Sequence, residues 1–317
     1  MNKPIPFFCL ILFIGTTFTL SGQSLDLPIS MDVEGVEIKG SLLLADSTIQ
    51  TPVVLIIAGS GPTDRDGNNV MMKNNSLKFL AEGLLVHGIS SVRYDKRGVA
   101  ESMMKGMKEE DLRFDHYVDD VAAWVDKLNN DHRFSEVIIV GHSEGSLIGM
   151  IAAQKSNPKR FISLAGAGDR AGVALKRQLK VQPPLFYEQC AAIIDTLEQG
   201  QLVEKVSPLY YSLFRPSVQP YLISYFKYDP QKEISKLKIP TLIVQGTTDI
   251  QVKVEDAQKL HASKTDAILV IIEKMNHLFK ESPLDRQENI LTYNNPDLPV
   301  IPELIEEIYS FISENGR

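Results

Sequence analysis

The chain has 317 residues, of which 44% are hydrophobic and 23% charged, an ordinary balance for a folded protein with ample core. Its net charge is −7 at pH 7 and it holds no basic run, which argues against nucleic acid or an anionic membrane surface as partner. Two cysteines, Cys9 and Cys190, are too few for a disulfide framework.

Residues 1–22 have the layout of a secretory signal: Lys3, an apolar stretch from Ile5 to about Leu20, and small residues Ser21-Gly22 at the exit. That stretch is short and interrupted for a membrane anchor. Position 23 is Gln23, not the cysteine of a lipoprotein signal, so the expectation is an exported protein, periplasmic or secreted, without a stable membrane anchor. Such a chain keeps only Cys190, in an apolar helical context that suits a buried thiol.

Alternation around Glu34-Gly35 predicts a hairpin over Ile29 to Ala45. Val53 to Ala58 reads as a buried strand ending in Gly59-Ser60-Gly61-Pro62, Leu77 to His87 as a helix, and Ser91 to Tyr94 as a short strand. An amphipathic helix over Tyr117 to Leu128 carries the sole tryptophan, Trp124. Strands follow at Val137 to Val140, Phe161 to Leu164, Thr241 to Val244 and Ile268 to Ile272, with helices over Val254 to Ser263 and Pro302 to Ser313. This alternation implies a mostly parallel sheet with helices on both faces. Between 169 and 238 the strand rhythm gives way to helical patterns and aromatics, an insertion into a core made of 23–168 and 239–317.

The centre of the pattern is Gly141-His142-Ser143-Glu144-Gly145, a G-x-S-x-G turn between an apolar strand and a helix. Such a turn lifts a serine hydroxyl clear of the sheet beside the N–H groups of a helix N-terminus. A serine nucleophile requires a base, and the base requires an orienting acid. Asp249, in the loop after Thr241 to Val244, suits the acid, and His277, in the loop after Ile268 to Ile272, suits the base. His142 is expected to point away from the serine and to be structural; His87, His116, His132 and His261 read as solvated. An oxyanion hole needs two amides. Glu144 N–H is one candidate, and Ser60 N–H the other, with Gly61 as the alternative.

Three motifs compete poorly. Gly166-Ala167-Gly168-Asp169-Arg170-Ala171 has dinucleotide-fingerprint spacing but no acidic residue after a second strand. Asp64 to Asn68 hints at a calcium loop with its glycine misplaced. No H-E-x-x-H or clustered cysteine motif is present, so neither a metal nor another cofactor is indicated.

These residues resemble the α/β-hydrolase superfamily, with a helical cap between the sixth and seventh core strands. The likeness rests on the elbow, on Asp249 and His277 in that order, and on Asp95-Lys96-Arg97-Gly98-Val99-Ala100-Glu101-Ser102, similar to the superfamily's D-x-R-G-x-G-x-S segment but with Ala100 where glycine is usual. Gly59 to Asn68 resembles a bacterial carboxylesterase subgroup grouped with serine-aminopeptidase-like hydrolases. The resemblance implies a serine carboxylic-ester hydrolase acting on small or medium acyl esters. The alternatives are an exopeptidase, with Glu188, Glu198 or Glu204 receiving an α-amino group, and a non-catalytic binding protein. Six of the ten tyrosines fall in the inserted segment. Most of these rings are expected to join cap to core, with Tyr210, Tyr211 and Phe214 as candidates to line a substrate pocket above Ser143.

Overall fold

The computed structural model describes residues 26–313. The secretory-signal expectation for 1–22 lies outside the described residues. Eight strands form one sheet in the order β1-β2-β4-β3-β5-β6-β7-β8. They are β1 (Leu27–Val33), β2 (Val36–Leu43), β3 (Thr51–Ile57), β4 (Ser90–Tyr94), β5 (Phe134–His142), β6 (Arg160–Leu164), β7 (Thr241–Gly246) and β8 (Ile268–Ile272). β2 pairs antiparallel with β1 and with β4, and every other pair is parallel. The β1–β2 turn has positive φ at both Glu34 and Gly35, as a tight hairpin matching strand twist requires.

The helices are α1 (Ser76–Val86), α2 (Phe114–Asn129), α3 (Glu144–Lys155), α4 (Ala171–Leu179), α5 (Pro184–Glu198), α6 (Tyr211–Phe214), α7 (Gln219–Phe226), α8 (Pro230–Ser235), α9 (Val254–Ser263), α10 (Arg286–Leu291) and α11 (Pro302–Ser313). Side chains alternate across the sheet, so each central strand feeds two cores. Val53, Leu55, Ile57, Val137 and Ile139 pack with Trp124 of α2, Ile148 of α3 and Leu260 of α9. Val54, Ile56, Ile138 and Val140 pack on the other face with Leu80 of α1 and Ile308 of α11. Trp124 is fully buried; truncating such a residue to alanine costs about 3–5 kcal/mol.

Helices α4 to α8 occupy the interval between β6 and β7, where the strand rhythm fades in the sequence. They hold a third core of their own around Cys190, Ile194, Leu197, Phe214 and Phe226. Tyr210 and Phe214 belong to this core, with 9% and 0% exposure, while Tyr211 is 45% exposed. None of the three faces the cavities near Ser143, which corrects the pocket expectation. An insertion of about seventy residues needs large rings to bury its own helices, and those rings are spent internally.

The rings that reach the core beneath the sheet come from α7 and the turn after it. Tyr225 stacks on Phe114 at 4.7 Å between centroids, and Tyr221 meets Phe114 at 6.3 Å and Tyr117 at 5.5 Å. Tyr228 donates to Asp115, and the Phe114 amide donates to Ser224 Oγ at 2.8 Å. Farther out, Arg215 pairs with Glu109, and Arg177 pairs with the buried Asp256 at 2.6 Å.

The rejected motifs are also accounted for by packing. A Cβ on Gly168 would sit 2.3 Å from the Asp256 carbonyl, and one on Gly166 would sit 2.5 Å from the hydroxyls of Ser146 and Ser163, so these glycines serve close approach. Asp64 accepts the amides of Asp66 and Asn68 within its own turn, and Asp66 pairs with Arg93. Ala100 takes φ +42, the region its usual glycine occupies freely and a Cβ disfavours.

Candidate active site

Ser143 lies between β5 and α3 with φ 55 and ψ −118, a conformation costing about 1–3 kcal/mol that the surroundings must hold in place. Both flanking glycines are required by backbone contact. A Cβ on Gly141 would lie 2.3 Å from the Gly145 carbonyl oxygen, and one on Gly145 would lie 2.5 Å from the Ile57 carbonyl oxygen. The G-x-S-x-G spacing therefore records β5, the turn and the end of β3 pressed together. The Ser143 amide is anchored to the Leu164 carbonyl at 2.9 Å.

Asp249 and His277 arrive from the loops after β7 and β8 and meet. The His277 Nδ1–H donates to Asp249 Oδ2 at 2.7 Å, leaving Nε2 of the ring as the free acceptor. Asp249 also accepts from Gln245 Nε2 at 3.0 Å and from the amides of Gln251 and Val252 at 2.7 and 3.0 Å. Burial pushes its carboxyl up, but the His277 ring and the Val252 and Gln251 amides outweigh burial and hold it below the usual carboxylate range. His277 and Asp249 are both nearly inaccessible.

Ser143 and His277 face one cavity of about 180 Å³, together with Gly59, Ser60, His142 and Gln251. The wall opposite the serine is the loop after β3: a Cβ on Gly59 would stand 3.3 Å from Ser143 Cβ. Ser60 follows Gly59 along this wall and lines the same cavity. The Glu144 amide is the first of α3 and has no acceptor within the helix. Gly61 lines the neighbouring groove instead of this cavity.

His142 does not turn away from the site. Its Nε2–H donates to the His277 carbonyl at 2.9 Å and its ring lies 4.8 Å from the His277 ring, so it ties the elbow to the loop carrying the proposed base. Burial, with His277 adding to it, brings its pKa down to about 3, so it stays neutral and structural.

A second cavity of about 150 Å³ lies behind the Gly59–Pro62 loop, lined by Lys96, Leu112, Tyr117, Glu144, Val218 and Tyr221, with the Glu109–Arg215 pair at its edge. Sequence reasoning quotes Lys96 only as a variable position of the D-x-R-G segment. A lysine two residues after the buried strand β4, at the carboxyl end of the sheet, is the signal that could have singled it out. Burial pulls the Lys96 ammonium below its ordinary range, with Glu144 opposing. Its segment is otherwise structural: Asp95 pairs with Arg65 at 2.6 Å, Arg97 with Asp120 at 2.6 Å, and Ser102 Oγ accepts from the Lys39 amide.

Residues 73–205 match the family described as serine aminopeptidase, S33. Esterase EstD of Thermotoga maritima is 24% identical over 268 residues, 80% of this chain; the chain spans 62% of that relative's length. Among solved structures, Est1E from Butyrivibrio proteoclasticus with ferulic acid bound superposes with a TM-score of 0.60 at 20% identity, covering 90% of this chain and all of that one. The Pyrococcus furiosus esterase Pf2001 gives 0.54 at 14% identity, covering 90% and 91%. Strand order, serine elbow and these superpositions show that the chain has the α/β-hydrolase fold.

Proposed function

We propose that the protein is a serine hydrolase cleaving carboxylic esters of small molecules. The observation that carries this reading is the His277–Asp249 pair, bonded at 2.7 Å, facing the strained Ser143 across one cavity walled by Gly59 and Ser60. Ser143 Oγ attacks the ester carbonyl while His277 Nε2 takes its proton. The tetrahedral oxyanion sits against the amides of Ser60 and Glu144. His277 returns the proton to the departing alcohol, leaving an acyl group on Ser143, and water repeats the sequence to release the acid. Asp249 holds the imidazole in the required tautomer. The groove lined by Tyr117, Val218 and Tyr221 receives the acyl or alcohol group, which makes the cap the selector of substrate size. That EstD and Pf2001 are both described as esterases supports the choice of bond.

The family description favours a second reading, a serine aminopeptidase. Such an enzyme needs a free carboxylate for the α-amino group. Glu188 and Glu204 are exposed, Glu198 pairs with Lys176, and the two glutamates on the groove, Glu144 and Glu109, are paired with Lys96 and Arg215. The ester reading is therefore preferred. Turnover of chromogenic acyl esters from acetyl to octanoyl beside aminoacyl anilides decides: esters alone support it, while anilide cleavage requiring a free amine favours the peptidase. We further propose export through 1–22; an intact chain confined to the cytosol, indifferent to deletion of 1–22, would contradict it.

A further inference from the structure

The Lys96 ammonium is almost completely buried, its side chain 1% exposed, and its bonds run to Glu144, which carries one proposed oxyanion amide, and to Gly59, whose carbonyl shares a peptide with the other, that of Ser60. Nζ donates to the Gly59 carbonyl at 2.5 Å and to Glu144 Oε1 at 3.5 Å, and it lies 5.2 Å from the Tyr117 ring centroid. The Gly59 carbonyl and the Ser60 N–H belong to one planar trans peptide and point to opposite sides of it. Lys96 faces the groove behind the loop, whereas Ser60 faces the cavity of Ser143 and His277. An ammonium holding the carbonyl on the groove side therefore turns the Ser60 N–H toward the serine. It also polarises the peptide, making that N–H a stronger donor. The same ammonium holds the side chain of Glu144, whose own backbone supplies the other donor.

We propose that Lys96 is a positioning residue for the oxyanion hole, cross-linking its two halves and orienting the Ser60 and Glu144 amides; it lines the groove, but at 1% exposure its side chain offers substrate almost no surface. The inference rests on the ester reading. It differs from a structural reading in where the loss must fall. Pre-aligned donors act on the tetrahedral species and hardly on the ground-state ester, so their disorder lowers kcat and spares KM.

The full chain carrying Lys96→Met, assayed on acetyl and butyryl esters, is expected to lose about 10- to 100-fold in kcat, less than deletion of an oxyanion donor, with KM within about twofold. Its affinity for an alkyl trifluoromethyl ketone, which adds to the serine as a tetrahedral oxyanion, should fall in parallel. Because Lys96→Met leaves the Glu144 carboxylate buried and unpaired, the Lys96→Met/Glu144→Gln double variant removes both charges and protects the fold. It should show the same paired loss. Wild-type kcat and ketone affinity in a folded variant overturn the proposal, as does a loss confined to KM, which would make Lys96 a substrate contact. A wild-type protein that neither hydrolyses esters nor binds the ketone overturns the ester reading, and this inference with it.

Discussion

Around Ser143 the chain is held backbone against backbone; in the cap it is held side chain against side chain. At the elbow, Gly141 touches Gly145, Gly145 touches β3, and the Ser143 amide bonds Leu164, so no side chain can change the arrangement except by intruding. The cap has its own core and docks through rings of Tyr221, Tyr225 and Tyr228 and pairs such as Arg215–Glu109. The contrast teaches where precision resides. Backbone contact leaves the proposed nucleophile little room to shift, while a wall docked through side chains can be changed one residue at a time.

The largest expected effect tests the chemical half of that contrast. Ser143→Ala should lower ester turnover by four orders of magnitude or so with the fold unchanged, and a fluorophosphonate should label the wild type once, at Ser143. Asp249→Asn should also be severe: with the Asn oxygen kept on the Gln251 and Val252 amides, its NH2 faces His277 Nδ1 and donates to it, fixing the wrong tautomer. Turnover near wild type in Ser143→Ala removes the serine mechanism.

Stability should divide along the same line. Gly145→Ala places a Cβ 2.5 Å from a backbone oxygen that cannot yield without moving β3, a cost of about 3 kcal/mol. Arg215→Ala breaks a pair whose side chains are 38% and 36% exposed and should cost less than about 1 kcal/mol. Urea unfolding midpoints measure both. Equal costs would mean that the cap is as tightly keyed as the elbow.

The His142 tie gives a pH signature. Its folded pKa of about 3 lies below the ordinary 6.5, so between these values the unfolded chain binds a proton that the folded one refuses. The stability it contributes is complete above pH 6.5 and is lost as pH falls toward 3, at up to about 1.4 kcal/mol per pH unit. Between pH 6.5 and 5, wild type should lose urea resistance more steeply than His142→Gln, the raised carboxyls of Asp64 and Asp120 being common to both. Parallel slopes would place the acid sensitivity elsewhere.

The same division governs what could be read from the sequence. Every strand of the parallel sheet and the G-x-S-x-G turn are legible because buried apolar runs and backbone contact leave local marks: a glycine where no Cβ fits, a β-branched run where both faces are covered. Asp249 and His277 are legible because a doubly wound sheet brings the loops at its strand ends to one edge. The direction of His142 is not, since it depends on a carbonyl at His277 far along the chain. Lys96 is hidden for a similar reason: its partners, Gly59 and Glu144, come from two other strand ends. The division of cap rings between an internal core and a docking face follows from how the helices fold on one another, and composition is silent on it.

The smallest effect separates two tyrosines of the same segment. Tyr221 lines the groove behind the Ser60 loop and leans on Tyr117, whereas Tyr211 is 45% exposed and lines neither cavity. Removing the Tyr221 ring widens the groove where a longer acyl chain would lie and leaves an acetyl group, which needs only the space at Ser143, little affected. Tyr221→Ala should shift the hexanoyl-to-acetyl ratio of kcat/KM by about five- to tenfold, on the order of 1 kcal/mol, while Tyr211→Ala leaves the ratio unchanged. The comparison uses ratios within one variant, so a modest loss of folded protein cancels. A shift from Tyr211→Ala, or none from Tyr221→Ala, would mean that the acyl group follows another path out of the cavity at Ser143, and that the cap selects substrates through a different face or not at all.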